Sequence, residues 1–198
     1  MFADVACPFA HVGLRRFVAF REATGSTRPA LRVRAWPLEV VNGAPLETAL
    51  NAQHIDELRE GVAPDLFRGF DREASATSSM PALALVAAAY TLDDTTGERV
   101  SLAVRDAFFE EGLDISDPTV LDRIASAEGV TRQSPENELV VLDDFEEGKR
   151  RGVRGSPEFF VNGQGWYCPS LHIEKVGDRL NIEQDIDSIE AFLAECFT

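Results

Sequence analysis

The segment Asp4-Val5-Ala6-Cys7-Pro8-Phe9-Ala10-His11 joins a short apolar run to a proline at which a helix can begin. Proline is tolerated in the first helical turn because the N–H it lacks has no partner there. The apolar residues that follow recur on one helical face: Ala10, Leu14, Phe17 and Val18. The sequence therefore predicts a strand, a short loop and a helix, with Cys7 at the helix N-terminus.

Cys7 is the candidate nucleophile of the chain. Unpaired N–H groups and the helix dipole favour an anion at a helix N-terminus, and the thiolate is the reactive form of cysteine. We therefore predict a lowered thiol pKa for Cys7. The alternative is that Cys7 is a small buried residue, since free cysteines are often buried and inert.

The composition is that of one globular domain, or of a domain with an inserted subdomain. The chain has 198 residues, of which 44% are hydrophobic and 27% charged. Its formal net charge of −15 argues against nucleic acid and an anionic membrane surface as partners, because both require basic protein surfaces. No apolar run reaches the ~18 residues of a membrane span, and no secretory signal is recognisable. The cytoplasm is the expected location.

The cysteines and histidines predict neither a disulfide framework nor a metal site. The chain has three cysteines, so any disulfide bond within it leaves one cysteine unpaired. Its three histidines are isolated from one another, and none has zinc-ligand spacing with a cysteine. Cys196, on the apolar side of the last predicted helix, is expected to have no functional role.

The first half of the chain predicts a βαβ unit followed by helices. Leu31 to Trp36 alternates apolar and polar residues, which predicts a strand parallel to the first. The first strand is short, so either it is stunted or the natural chain extends upstream. Residues 44–149 show helical periodicity, with helix starts at Ser78 or Ser79, at Asp117 and at Ser134.

Strand character returns in the last quarter of the chain. Glu158 to Val161 is apolar, and Asn162-Gly163 predicts a tight hairpin to a returning strand, Gln164 to Cys168. Asp185 to Cys196 has the periodicity of a closing helix. The sequence thus predicts an α/β fold whose two halves flank an all-helical insertion. The predicted boundaries are residues 1–43 and 150–198 for the split domain and 44–149 for the inserted helical subdomain.

Three features in combination resemble the DsbA-like branch of the thioredoxin fold. They are Cys7-Pro8-Phe9-Ala10 after a strand, Gly152-Val153-Arg154-Gly155-Ser156-Pro157 before another strand, and the helical insertion between them. The segment Phe109 to Asp117 also resembles one common in cytoplasmic members. The resemblance implies a thioredoxin-like fold, a cis Pro157, and a Ser156 backbone that faces a thiol substrate opposite Cys7. Without it, Pro157 is a strand-initiating proline, because X–Pro bonds are cis in only ~5–6% of cases.

The chain departs from that branch one helical turn after Cys7. Dithiol oxidoreductases of the branch carry Cys-X-X-Cys, and here the last position is Ala10. Alanine cannot resolve a mixed disulfide at Cys7, because the exchange cycle needs a second thiolate. Two relatives that work without a second cysteine are 2-hydroxychromene-2-carboxylate isomerase and the kappa-class glutathione transferases. They usually have serine at the position of Cys7 and hold glutathione as a thiolate.

Three functions follow as alternatives. The first is a thiol oxidoreductase of single-cysteine type that uses Cys7 on a thiol or disulfide substrate. The second is a glutathione-dependent isomerase or transferase that acts on a small aromatic substrate. The third is a non-catalytic binding module. The resemblance implies no tightly bound cofactor and makes glutathione a candidate cosubstrate, and a homodimer stays open.

Cys168 is a candidate surrogate for the missing resolving thiol. About five residues lead from Pro157 out to the hairpin and about five lead back, which returns Cys168 close to the level of Pro157. Cys168 is then predicted to lie near Cys7. The alternative is that it points into the core or lies a strand too far away.

Other residues are candidates for contacts with a substrate. Pro8 and Phe9 flank Cys7, and His11 in the same helical turn is a candidate for stabilising a thiolate, although the helix dipole disfavours its cation. Trp166, with the neighbouring Tyr167, is a candidate for lining an apolar groove, although aromatic strand residues more often belong to a core. Three arginines are candidates for binding the carboxylates of glutathione, although a solvated basic turn at a helix C-terminus explains them equally well: Arg150, Arg151 and Arg154.

Overall fold

The structure of the chain is a computed structural model that describes residues 1–72, 76–131 and 135–197. Its helices and strands in chain order are β1 (Phe2–Ala3), α1 (Pro8–Ala23), β2 (Arg34–Ala35), α2 (Leu38–Asn42), α3 (Thr48–Gly61), α4 (Met80–Leu92), α5 (Asp94–Phe109), α6 (Pro118–Glu128), α7 (Pro135–Arg151), β3 (Glu158–Val161), β4 (Gln164–Tyr167), β5 (Leu171–Val176), β6 (Arg179–Gln184) and α8 (Ile186–Phe197). This order confirms an α/β fold in which helices separate the βαβ half from the strands of the second half. The predicted boundaries at residues 44 and 149 stay a prediction.

The central sheet has the strand order β2-β1-β3-β4. β1 is parallel to β2, whereas β3 is antiparallel to both β1 and β4. On one face of the sheet, Phe159 packs against Phe17 of α1 and Phe192 of α8. On the other face, the ring of Phe2 contacts that of Phe160 edge to face, and Arg151 of α7 lies over both rings. The alternation along β3 therefore places helices against both faces of the sheet.

The two strands of the βαβ unit are shorter than predicted, because side chains take the backbone groups that would extend them. The N–H of Leu31 donates to Glu98, and that of Val33 donates to the Tyr90 hydroxyl. After β1, the carboxylate of Asp4 accepts from the N–H of Ala6 and turns the chain into α1. Regular pairing in β1 and β2 is limited to two residues each.

The helical block is organised around α4, which is buried on nearly its whole circumference and packs against α5 and α7. The prediction that Asp117 begins a helix is confirmed, since its side chain accepts from the N–H of Thr119. Ser79 also precedes a helix as predicted, but its hydroxyl donates to Asp4 instead of capping α4. The predicted start at Ser134 lies outside the described residues.

The hairpin of β5 and β6 forms a second sheet that packs against α3. Gly61 at the end of α3 allows this close approach, because a Cβ there would lie 2.2 Å from the Ile182 carbonyl oxygen. The buried Glu57 side chain accepts from the N–H of Leu180 across the same contact. The hairpin thereby fixes the position of α3, which contributes to the site described below.

Within the described ranges, no helix is both long enough and apolar enough to cross a bilayer.

Candidate active site

Cys7 is the residue immediately before α1 and has extended backbone angles, and Pro8 is the first helical residue. The Cys7 side chain is buried, with 3% of its surface exposed. The Cys7 Sγ–H donates to the carbonyl oxygen of Ser156 at 3.2 Å, and the Ser156–Pro157 peptide bond is cis. The two segments that carry the family resemblance therefore meet, although 149 residues separate Cys7 from Ser156 in the chain.

Asp4 connects the loop before Cys7 to three other parts of the fold. Its carboxylate accepts from the N–H of Ala6 at 2.8 Å, from the N–H of Leu38 at 2.7 Å and from the hydroxyl of Ser79 at 2.9 Å. Its own N–H donates to the Ser156 hydroxyl at 3.0 Å. Burial raises the pKa of this carboxyl above its ordinary value, while the three hydrogen bonds that it accepts favour the carboxylate. Asp4 thus positions both Cys7 and the loop opposite it.

Arg105 of α5 lies fully buried beneath this loop, at 0% exposure. Its Nη2 donates to the backbone carbonyl of Asp4 at 3.1 Å, and its Nη1 donates to the hydroxyl of Ser101 at 2.6 Å. Burial lowers the pKa of the guanidinium to about 10, which the negative charge of Asp4 opposes. The helical block thus supplies a buried cation beneath the segment that presents Cys7.

The predicted lowering of the Cys7 pKa is wrong. Burial raises the pKa of the Cys7 thiol above its ordinary value of about 9, and the nearby charge of Asp4 adds to the effect. A hydrogen bond with the Ser156 side chain favours the thiolate, and so do hydrogen bonds from the N–H groups of Ala10 and Phe9, as the helix-terminus argument required. Together they do not offset the loss of solvent. The free protein therefore holds Cys7 as a thiol at neutral pH.

This assignment predicts how fast iodoacetamide alkylates Cys7 as a function of pH. Because the thiolate is the reactive form, the rate is expected to keep rising above pH 8 towards the raised pKa. At pH 7 it should fall below the rate for glutathione free in solution. Quantitative mass spectrometry of the Cys7 peptide measures the rate, and no further rise above pH 8 contradicts the assignment.

Cys7 opens into a pocket of about 360 Å³ between the start of α1, α2, α3 and the loop before β3. Its walls are mainly apolar and aromatic: Pro8, Phe9, Trp36, Leu38, Leu46, Leu50 and Tyr167. Its polar side chains come from Asn42, Glu47, Asn51, His54, Arg154 and Ser156. Such a pocket suits a small molecule or side chain with an apolar body and few charges.

Pro8 and Phe9 line this pocket, whereas Trp166 does not, and contact of Pro8 and Phe9 with a substrate stays a prediction. The indole of Trp166 packs against Phe192 of α8 with ring centroids 5.9 Å apart, on the side of the sheet that α8 covers. Alternation along β4 sends the next residue, Tyr167, to the opposite face and into the pocket. Tyr167, which is 45% exposed, is the aromatic strand residue positioned to contact a substrate.

His11 is also absent from the pocket. Its ring is fully buried between Phe67 and Phe109, and its Nε2 lies 2.8 Å from a carboxylate oxygen of Glu110. Burial lowers the pKa of His11. The position of His11 on α1 directs it into the helical block, where it joins α1 to α5 rather than facing a substrate.

Cys168 returns to the level of Pro157, as the hairpin geometry predicts. Its N–H donates to the Pro157 carbonyl oxygen at 3.2 Å, and its Sγ lies 3.9 Å from the same oxygen. The thiol is buried and does not line the pocket. Burial raises the pKa of the Cys168 thiol. Its role as a resolving thiol stays a prediction.

Of the three predicted arginines, Arg154 alone lines the pocket. It lies over the Tyr167 ring and forms an ion pair with Glu158 at 2.7 Å. Arg150 and Arg151 both pair with Glu147 within α7. Because these cations have carboxylate partners within the chain, a bound anion must compete with existing ion pairs. No group of metal-ligating side chains is found among the described residues.

Sequence reasoning missed His54 and Arg105. His54 follows Asn51 by one helical turn, so α3 presents both residues to the pocket. That spacing was the available signal, but nothing local indicates which face of α3 meets Cys7. Arg105 reaches Asp4 across 101 residues of sequence, and no short-range pattern marks the contact.

A family model described as a DSBA-like thioredoxin domain matches residues 1–181. The chain belongs to this DsbA-like family. The family assignment and the sheet order together establish the thioredoxin-like fold with a helical insertion. No curated protein matches the chain.

Solved structures resemble this DsbA-like chain over most of its length. The cytosolic disulfide reductase DsbM from Pseudomonas aeruginosa is 18% identical, with 98% of this chain and 95% of that chain covered and a TM-score of 0.64. A structure of DsbM with GSH gives 19% identity, the same coverage and the same TM-score. A 2-hydroxychromene-2-carboxylate isomerase is 14% identical over 84% of this chain and 86% of that chain, with a TM-score of 0.63. These likenesses support the fold.

Proposed function

We propose that the protein is a cytoplasmic thiol–disulfide oxidoreductase of single-cysteine type, with Cys7 as its nucleophile and glutathione as cosubstrate. The observation that supports this most is the 3.2 Å contact between Cys7 Sγ and the Ser156 carbonyl, next to cis Pro157. A substrate sulfur that binds against the backbone of Ser156 and Pro157 lies beside the sulfur that attacks it. Ala10 leaves the second step to a thiol from solution.

The proposed reaction has two exchange steps. Cys7 loses its proton and attacks one sulfur of a disulfide R–S–S–R′, which forms Cys7–S–S–R and releases R′–S⁻, protonated to R′–SH. A glutathione thiolate then attacks the substrate sulfur of the mixed disulfide, which forms R–S–S–G and releases Cys7 as a thiolate that takes up a proton. Each step makes one S–S bond and breaks one, so no other oxidant or reductant is needed.

The pocket residues have distinct proposed roles in these steps. Ser156 and Pro157 hold the substrate sulfur through their backbone, and Phe9 and Tyr167 contact its apolar part. Asp4 positions the Cys7 loop without touching the substrate. The DsbM structure with GSH supports glutathione as cosubstrate, since it shows this ligand with a protein of similar fold.

Reduction of hydroxyethyl disulfide by glutathione, coupled to glutathione reductase and NADPH, tests the proposal. Cys7→Ser is expected to lower the rate to that of the reaction without protein. Cys196→Ser, a cysteine outside the pocket, serves as the matched control and should leave it unchanged. Cys168→Ser shows in the same assay whether Cys168 takes part. Retained activity in Cys7→Ser contradicts a nucleophilic Cys7.

The apolar and aromatic walls of the pocket favour a second candidate function, a glutathione-dependent isomerase or transferase for small aromatic substrates. In that reaction Cys7 donates a hydrogen bond to a glutathione thiolate and forms no covalent bond. Serine can replace it in this role. Saturable glutathione binding and turnover of an aromatic substrate that survive Cys7→Ser favour this second candidate over disulfide exchange.

A further inference from the structure

The structure raises the question of which group removes the proton from Cys7. The thiol is buried, and its hydrogen bond to the Ser156 carbonyl stabilises the protonated form. The nearest carboxyl, Asp4, already accepts from Ala6, Leu38 and Ser79 and does not line the pocket. A disulfide that enters the pocket therefore meets a neutral thiol and needs a base.

Few groups in the pocket can serve as that base. Arg154 is a cation held by Glu158. Burial raises the pKa of Tyr167 to about 12, so its hydroxyl stays protonated at neutral pH. Glu47, the residue before α3, is exposed to solvent. His54 is the remaining titratable side chain among the described residues of the pocket wall.

His54 is half-buried on α3, and its ring packs against Phe9, two residues after Cys7, with centroids 5.3 Å apart. Neither ring nitrogen has a hydrogen bond or ion pair within the described part of the chain. Burial lowers the pKa of His54 from its ordinary value of about 6.5, and the charge of Glu57 on the same helix opposes this. At neutral pH the imidazole is therefore neutral, with one nitrogen able to accept a proton and the other to donate one.

We propose that His54 is a catalytic residue that relays the proton from Cys7 to the leaving sulfur of the substrate. His54 accepts the Sγ proton as the Cys7–S–S–R bond forms and the R–S–S–R′ bond breaks, and it returns the proton to R′–S⁻, which leaves as R′–SH. The proton lost by Cys7 is the proton gained by the product, so the step is balanced. This role rests on the proposed function and explains how a thiol of raised pKa reacts at neutral pH.

The test is the rate of mixed-disulfide formation at Cys7 with oxidised glutathione between pH 5 and pH 10, measured by rapid quench and mass spectrometry. The native protein is expected to show two rises, one through the lowered pKa of His54, below 6.5, and one through the raised pKa of Cys7. His54→Gln should lose the first rise and react about 10²-fold more slowly at pH 7. Above the pKa of Cys7 the two rates should converge, because the thiolate then needs no base.

Matched variants separate this role from a structural one. His172→Gln, at an exposed position on β5, should keep the native pH profile. His54→Ala should recover part of the neutral rate on addition of free imidazole, which a folding defect does not allow. A native profile in His54→Gln, or no rescue by imidazole in a folded His54→Ala, overturns the relay. If the native protein forms no adduct even above pH 9, the proposed function itself fails.

Discussion

Arg105→Ala is expected to lower the free energy of unfolding by about 3–5 kcal/mol, a large part of the ~5–15 kcal/mol that stabilises a typical domain. The substitution leaves a cavity where a fully buried side chain lay. It also leaves the Asp4 carbonyl without its donor and the buried Asp4 carboxylate without the nearby cation. Urea denaturation followed by circular dichroism measures the loss.

Arg99→Ala on the same helix is the matched control. Arg99 pairs with Glu128 of α6, and its side chain is half-exposed. Removal of such a surface pair is expected to cost less than about 1 kcal/mol. A loss for Arg105→Ala no larger than that for Arg99→Ala contradicts the buried contact between α5 and the Cys7 loop.

Ala10→Cys is expected to shorten the lifetime of a mixed disulfide at Cys7 at least about a hundredfold in the absence of added thiol. The new thiol lies one helical turn from Cys7, so it attacks the mixed disulfide within the same molecule at a high effective concentration. Ala10 is fully buried, so the added sulfur must fit within the core beside α1. Stopped-flow release of a fluorescent thiol from Cys7 measures the lifetime.

The same change made together with Cys168→Ser serves as the control for Ala10→Cys. If Cys168 already resolves the native mixed disulfide, its removal should lengthen the native lifetime, whereas the thiol introduced by Ala10→Cys should act without it. An unchanged lifetime in Ala10→Cys, with the variant folded, shows that residue 10 is not positioned to resolve a disulfide at Cys7.

Local patterns predict much of this fold because they depend on neighbouring residues. Pro8 at the start of a helix, the Asp117 cap and the Asn162-Gly163 hairpin each act within a few residues, and each is found where predicted. The hairpin also determines the level of Cys168 relative to Pro157. The resemblance to a known family contributed what spacing alone could not, namely that Cys7 faces cis Pro157.

The predictions from sequence that were wrong concern burial and the direction in which side chains point. The prediction of a lowered Cys7 pKa rested on the helix N-terminus, which is a local feature. The burial that raises the pKa depends on how the helical block covers the loop, which no local pattern indicates. His11 and Trp166 lie on the correct elements and point away from the pocket, since one turn of a helix or one residue of a strand reverses the direction. The contact between Arg105 and Asp4 joins two halves of the chain and has no local signature.

Peptide mapping after incubation with oxidised glutathione tests the central claim, that Cys7 is the sulfur that exchanges. The protein is quenched in acid, digested without reductant and analysed by mass spectrometry for one glutathionyl group per chain. The adduct is expected on the Cys7 peptide, and Cys7→Ser should abolish it while Cys168→Ser and Cys196→Ser keep it. An unmodified Cys7 peptide, with the adduct on Cys196 instead, contradicts the claim.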